Sequence, residues 1–302
     1  MKTRVETVAI IGLGLIGGSL AKALKDNGFC REVIGYGHRE PSLRRGLELG
    51  VIDSFTLDLD AALSAADIVV ICTPTLVAAE ILVDILARTE ALEQPPVITD
   101  GASVKGNLER AARSACKEFP PYLVLGHPIA GSERSGVEAA RSDLYVNHRV
   151  ILTPVAENSS EALALVSDMW AAAGATVVQM TVARHDAVLA ATSHLPHVLA
   201  YALVDALAES DESDEIFRCA AGGFRDFTRI ASSDPVMWRD IAIANKAALL
   251  QAIDQFNEHL QQLRRAVVEE DAAGMHETFT RAKQARDEFA AILAEREQAK
   301  TS

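Results

Sequence analysis

The chain has 302 residues, 49% of them hydrophobic and 24% charged, the make-up of a soluble globular enzyme large enough for two domains. A net charge of −13 with no basic stripe excludes a nucleic-acid binder. No apolar run of membrane length and no signal peptide is expected, and four scattered cysteines (Cys30, Cys72, Cys116, Cys219) without a C-x-x-C pair read as reduced thiols in the cytoplasm.

Strands are expected at 5–11, 32–37, 67–72, 96–99, 122–125, 148–152 and 175–180, separated by alanine-rich amphipathic segments. The first runs into Gly12-Leu13-Gly14-Leu15-Ile16-Gly17, after which a helical pattern starts. Gly12 permits a tight turn, Gly14 lets backbone approach a pyrophosphate, and Gly17 lets the helix pack on the strand. The free N–H groups of that helix start attract phosphate. The alternation implies an α/β chain: an N-terminal Rossmann-type doubly wound, mostly parallel sheet over residues 1–180. From 181 to 302 strand signals vanish, and an all-α domain is expected.

Ligands of such a sheet sit beyond the carboxyl ends of the strands. Cofactor contacts are therefore expected from Gly12, Gly14, Leu15, Ile16 and Gly17, from Thr73-Pro74 and from Ser103. Ser103 reads as a helix N-cap, as a hydroxyl aimed at the nicotinamide, or as both; Asp100 and Lys105 read as structural. Strand 32–37 leads to Gly37-His38-Arg39 where an acidic residue would hold the ribose of NAD. Glycine leaves room there, and His/Arg can meet a 2′-phosphate, so NADP is expected over NAD. Glu40 works against this if it neutralises Arg39. His127 follows the strand Tyr122–Leu125 between Gly126 and Pro128, and a neutral imidazole there can take a hydroxyl proton as hydride leaves.

In the helical half, His194 and His197 share a helix face that Pro196 is expected to kink. With the His185-Asp186 pair ahead of them, they read as core or capping residues or as a pocket wall; no metal site is expected. Gly222-Gly223-Phe224-Arg225-Asp226 leads to Arg229, either a carboxylate clamp or an inter-helix ion pair. Residues 209–215 read as a solvated acidic loop, Asp234-Pro235 as a helix start, and Trp238 as core or pocket wall. Leu249, Ile253, Phe256, Leu260, Leu263 and Val267 mark a heptad seam, read as a subunit interface in preference to an intrachain pair.

Taken in order, Gly12–Gly18, Asp100–Lys105, Gly126–Glu133, Ser193–His197 and Gly222–Ala231 resemble the prephenate/arogenate dehydrogenases of tyrosine biosynthesis. The resemblance implies oxidative decarboxylation of prephenate or arogenate, with a helical, dimer-forming second domain. It implies His127 as catalytic base, Ser103 as the serine that orients it, and Arg229 as the substrate-carboxylate arginine. His197, Gly222, Asp226 and Trp238 match residues lining that pocket. His127 and Arg229 are then expected across one crevice. Appended mutase and regulatory regions of some relatives are not expected here. The competing readings are another two-domain reductase, of 3-hydroxyacid or imine type, and a non-catalytic nucleotide-sensing dimer.

Overall fold

A computed structural model describes residues 4–131 and 134–301, with side chains through Ala294; Ser132 and Glu133, the end of the histidine motif, lie outside them. The chain opens with β1 (Val5–Ile11), α1 (Leu15–Asp26), β2 (Cys30–Tyr36), α2 (Glu40–Glu48), a short β3 (Ser54–Thr56) and α3 (Leu59–Ala65). It continues through β4 (Ile68–Ile71), α4 (Thr75–Thr89), β5 (Val97–Asp100), α5 (Gly106–Ala115) and β6 (Leu123–Val124).

These six strands form one parallel sheet in the order β3-β2-β1-β4-β5-β6. Both of its faces are covered, so alternate residues enter opposite cores. Val8, Ile10, Ile68 and Val70 pack with Leu20 and Leu24 of α1 and with Trp170. Ala9, Ile11, Val69 and Ile71 pack with Leu63, Leu82 and Leu108 of α3, α4 and α5. Strand order reverses between β1 and β4, which opens a ligand crevice at their carboxyl ends.

The next elements depart from expectation. β7 (Gly126–Ile129) follows β6 with only Leu125 between them, and with β8 (Arg149–Leu152), α6 (Ser160–Ala172) and β9 (Thr176–Gln179) completes the α/β part. β7, β8 and β9 form a separate three-stranded sheet, β7 antiparallel to β8, so the last two expected strands do not extend the main sheet. Side chains turn the chain out of the first sheet: Gly126 N–H donates to Asp100 Oδ1 at 3.0 Å, and Lys105 Nζ donates to Gly126 O at 2.6 Å. His127 thus sits within a strand rather than in a loop.

The helices that follow are α7 (Val182–Leu189), α8 (Leu195–Ala208), α9 (Ser213–Cys219), α10 (Gly222–Thr228), α11 (Pro235–Ala244), α12 (Lys246–Val268) and α13 (Ala272–Thr301). A wide π turn, Ala190–His194, joins α7 to α8 ahead of Pro196. Proline lacks the N–H and crowds the carbonyl four residues back, and the wider turn relieves both. Through it, Val182–Ala208 is one helix of 27 residues with a mean hydropathy of 1.4 over its apolar window. By length and composition it is long enough to cross a membrane, contrary to the expectation of no such run. The averaging hides its polar positions: His185 and His194 are buried in a hydrogen-bonded network within the protein.

The acidic stretch is loop only in part, since Asp214 and Glu215 lie in the first turn of α9, where the helix dipole favours them. Asp234 caps α11 by accepting from Val236 and Met237 N–H, as Asp-Pro suggests. All four cysteines carry free thiols. The chain divides into two compact units, Met1–Leu249 and Leu250–Ser302. The first holds both sheets and α7–α11; the second holds the rest of α12 with α13. On α12, seam residues Leu260 and Val267 are 47% and 63% exposed.

Candidate active site

Gly12 adopts φ +94°, open to glycine at little cost, and a Cβ there would lie 2.9 Å from the Cys72 carbonyl. A Cβ on Gly17 would lie 2.5 Å from Gly12 O and 2.7 Å from Ile10 Cγ2, so helix and strand close up only through glycine. Nothing lies within 4 Å of a Cβ at Gly14, which leaves that backbone open to a ligand at the start of α1. Leu15 and Ile16 form the first turn, and the Ile16 carbonyl accepts from Tyr145 Oη at 2.6 Å. Thr73 packs its methyl toward Gly12, and Pro74 precedes α4. The turn and strand-end residues fit a dinucleotide.

The strand-end segments converge as the topology requires. A Cβ on Gly101, just after β5, would lie 3.2 Å from Ile16 Cγ2, and 3.7 Å from both Cys72 Sγ and Pro128 Cδ. Ser103 is half-buried in this loop. It does not cap α5: the N-cap is Lys105, whose N–H, with that of Gly106, is bound by the Asp186 carboxylate at 3.0 and 2.8 Å. Asp100 and Lys105 form an ion pair at 1% and 0% side-chain exposure, and Asp100 also accepts from Ala102 N–H. Together these two residues hold both backbone polar groups of Gly126, next to the His127 imidazole.

His127 is 9% exposed, and its Nδ1 lies 2.9 Å from His185 Nε2. His185 Nδ1 in turn donates to Asp186 Oδ1 at 2.8 Å. Burial, reinforced by His185, Lys105 and His194, pushes the His127 pKa well below its usual 6.5. It is therefore a neutral, proton-accepting ring at physiological pH. His194 hydrogen-bonds Asn245 at 3.0 Å, and burial pushes its pKa down to about 4. The sequence points to the His185-Asp186 pair as core, capping or pocket-wall residues but not to its partners, which lie 58 to 81 residues away in the chain.

His197 donates from Nδ1 to Ser193 O at 2.9 Å and stacks on Trp238, with centroids 3.4 Å apart. Trp238 meets the His194 ring edge-on at 6.2 Å, and its buried Nε1 has no protein partner. Arg229, exposed in the turn after α10, lies close enough to His197 to oppose its protonation. Gly222 opens α10 beside free space, and Asp226 is exposed and bound by Arg225 at 3.1 Å. At the end of β2, His38 and Arg39 are exposed next to Gly37, and Glu40 is engaged by Arg44 one helical turn on. Among the described residues, no group of three or more His, Cys, Asp or Glu could hold a metal ion.

A glycine turn on β1 of a doubly wound sheet, with a buried neutral imidazole at the same edge, defines a nicotinamide-dependent dehydrogenase. The comparisons narrow this class. The profile of the prephenate dehydrogenase nucleotide-binding domain matches residues 20–179, and that of the prephenate dehydrogenase dimerization domain matches 181–281. The chain belongs to the prephenate dehydrogenase family. It is 37% identical to a cyclohexadienyl dehydrogenase of Zymomonas mobilis over 94% of this chain and 96% of that protein. It is 36% identical to a Bacillus subtilis prephenate dehydrogenase over 95% of this chain and 77% of that protein. Prephenate dehydrogenase from Aquifex aeolicus, solved with hydroxyphenyl propionate and NAD+, superposes with a TM-score of 0.87 at 36% identity, covering 96% of this chain and 100% of that one. Membership displaces the hydroxyacid, imine-reductase and non-catalytic readings.

Proposed function

We propose that the chain oxidatively decarboxylates prephenate to 4-hydroxyphenylpyruvate, arogenate to tyrosine, or both, with NADP as preferred cofactor. The observation that carries the reading is the buried, neutral His127 beside the glycine-turn edge. The nicotinamide, when bound, supplies the acceptor for the hydride of ring C4. His127 takes the C4 hydroxyl proton, and the electrons of the bond to the ring carboxylate fill the aromatic ring as CO2 departs. Ser103, in the loop after β5, orients His127 and the cofactor. Arg229 clamps a substrate carboxylate, while His197, Gly222, Asp226 and Trp238 line the pocket. Gly12, Gly14, Leu15, Ile16, Gly17, Thr73 and Pro74 hold the dinucleotide.

Support for NADP comes from the end of β2. Glu40 is taken by Arg44, which leaves His38 and Arg39 as the exposed groups beside Gly37 to meet a 2′-phosphate. In the same reading residues 1–180 carry the cofactor, residues 181–302 carry the substrate pocket and the subunit contact, and the protein is a cytoplasmic homodimer. The exposed seam at Leu260 and Val267 supports that contact. The test is steady-state kinetics with each acid and each cofactor, followed by the near-ultraviolet absorbance of the reduced nicotinamide. No reduction with either acid rejects the activity, and a higher kcat/KM with NAD rejects the cofactor assignment.

A further inference from the structure

Two polar side chains stand in line behind His127, Asp186 Oδ1 bound to His185 Nδ1 and His185 Nε2 bound to His127 Nδ1. An ionised carboxylate only accepts, so the proton in the first bond sits on His185 Nδ1. A neutral imidazole has a single N–H, which leaves His185 Nε2 bare. The proton in the second bond therefore belongs to His127 Nδ1, and His127 Nε2 is bare. We propose that His185 and Asp186 are positioning residues that lock His127 in the Nδ1–H tautomer, so that Nε2 carries the lone pair that takes the substrate hydroxyl proton. This rests on the reading of His127 as the base.

The surroundings hold the line in this state. Asp186 is anchored by the N–H groups of Lys105 and Gly106, and its pKa is lowered by His185 and by those bonds against the opposing effect of burial. A doubly protonated His185 would donate from Nε2 and reverse the chain. Burial opposes that form, and the His185 pKa is lowered although Asp186 favours the charged ring. The other ionisable groups acting on the pair are Lys105 and Asp100 from the segment ending β5, and His194 on the π turn. Lys105 is paired with Asp100 and bound to Gly126 O; its charge discourages protonation of both rings. As His127 gains the hydroxyl proton at Nε2, its Nδ1–H donates more strongly to His185, and positive charge develops in line with the Asp186 carboxylate.

The test combines nitrogen-15 NMR of the histidine-labelled full chain with kinetics. At neutral pH the His127 signals, assigned by their loss in His127→Asn, are expected to show a protonated Nδ1 and a bare Nε2. His185→Leu, which removes the acceptor, is expected to lower kcat at least ~100-fold with KM within ~3-fold. His185→Gln, whose amide oxygen can accept from Nδ1, should return kcat to within ~10-fold of the parent. A proton on Nε2 of the resting His127, or a His185→Leu enzyme with unchanged kcat, overturns the proposal while an inert His127→Asn leaves the base assignment standing. A fully active His127→Asn enzyme removes the base assignment itself. The NMR readout needs no folded His185 variant.

Discussion

Asp186 on α7 caps α5 across 80 residues of chain, its carboxylate receiving the N–H of Lys105 and of Gly106 while it also holds His185. One side chain thus satisfies two backbone donors at a helix start and orients a ring against His127. Asp186→Ala is expected to cost stability, about 1–2 kcal/mol for the cap alone, and to lower kcat as well. Urea unfolding and turnover should both report it. Loss of stability without loss of kcat would separate the two roles.

The Asp100–Lys105 pair is expected to be fragile to single changes. Lys105→Met leaves a buried carboxylate without its counter-charge, and a loss of about 3–5 kcal/mol is expected. Adding Asp100→Asn should recover part of it. Urea midpoints of both variants measure the coupling, and additive losses would contradict it.

Acid should weaken the fold through its buried histidines. His127, His185 and His194 have pKa values below 6.5 when folded. Below pH 6.5 the unfolded chain binds protons that the folded chain refuses, so stability falls as pH drops. Each ring contributes about 1.4 kcal/mol per pH unit until its folded value is reached, which for His194 is about 4. The same lowering places the acid limb of kcat/KM below pH 6.5. His127→Asn should cut kcat by ~100- to 10,000-fold.

The glycines separate folding from binding. Gly17→Ala drives a methyl into Gly12 O and should lower both Tm and cofactor affinity. Gly14→Ala meets nothing in the protein, so stability should change by no more than about 0.5 kcal/mol while the cofactor KM rises. An unchanged KM would mean that no phosphate approaches there.

Arg229→Ala should raise the KM of the acid substrate by roughly 30-fold, about 2 kcal/mol for a lost charge-assisted contact, with a smaller effect on kcat. Initial rates at varied substrate check this. A change in kcat alone would move Arg229 out of the carboxylate site.

What the sequence made legible was local. The glycine turn and the Asp234 cap are steric and hydrogen-bonding demands met within a few residues, and the structure meets them where they were read. β7 escaped notice because four residues, Gly126–Ile129, become a strand only by pairing with β8 some twenty residues on. One of the two readings of Ser103 makes it the cap of α5, whereas a carboxylate from a distant helix supplies that cap. His185 stands out in the sequence only as one of a cluster of histidines, since its bond to His127 spans 58 residues.

Tyr145 lies fully buried between β7 and β8 in sequence, its hydroxyl fastened to the Ile16 carbonyl inside the glycine turn. Nearby, Arg141 N–H binds Ser19 Oγ and Lys22 Nζ binds Ala140 O, so a distant stretch rivets the first helix from behind. Changes at Ala140, Arg141 or Tyr145 therefore bear on the helix that opens at the glycine turn, although 118 to 129 residues of chain lie between.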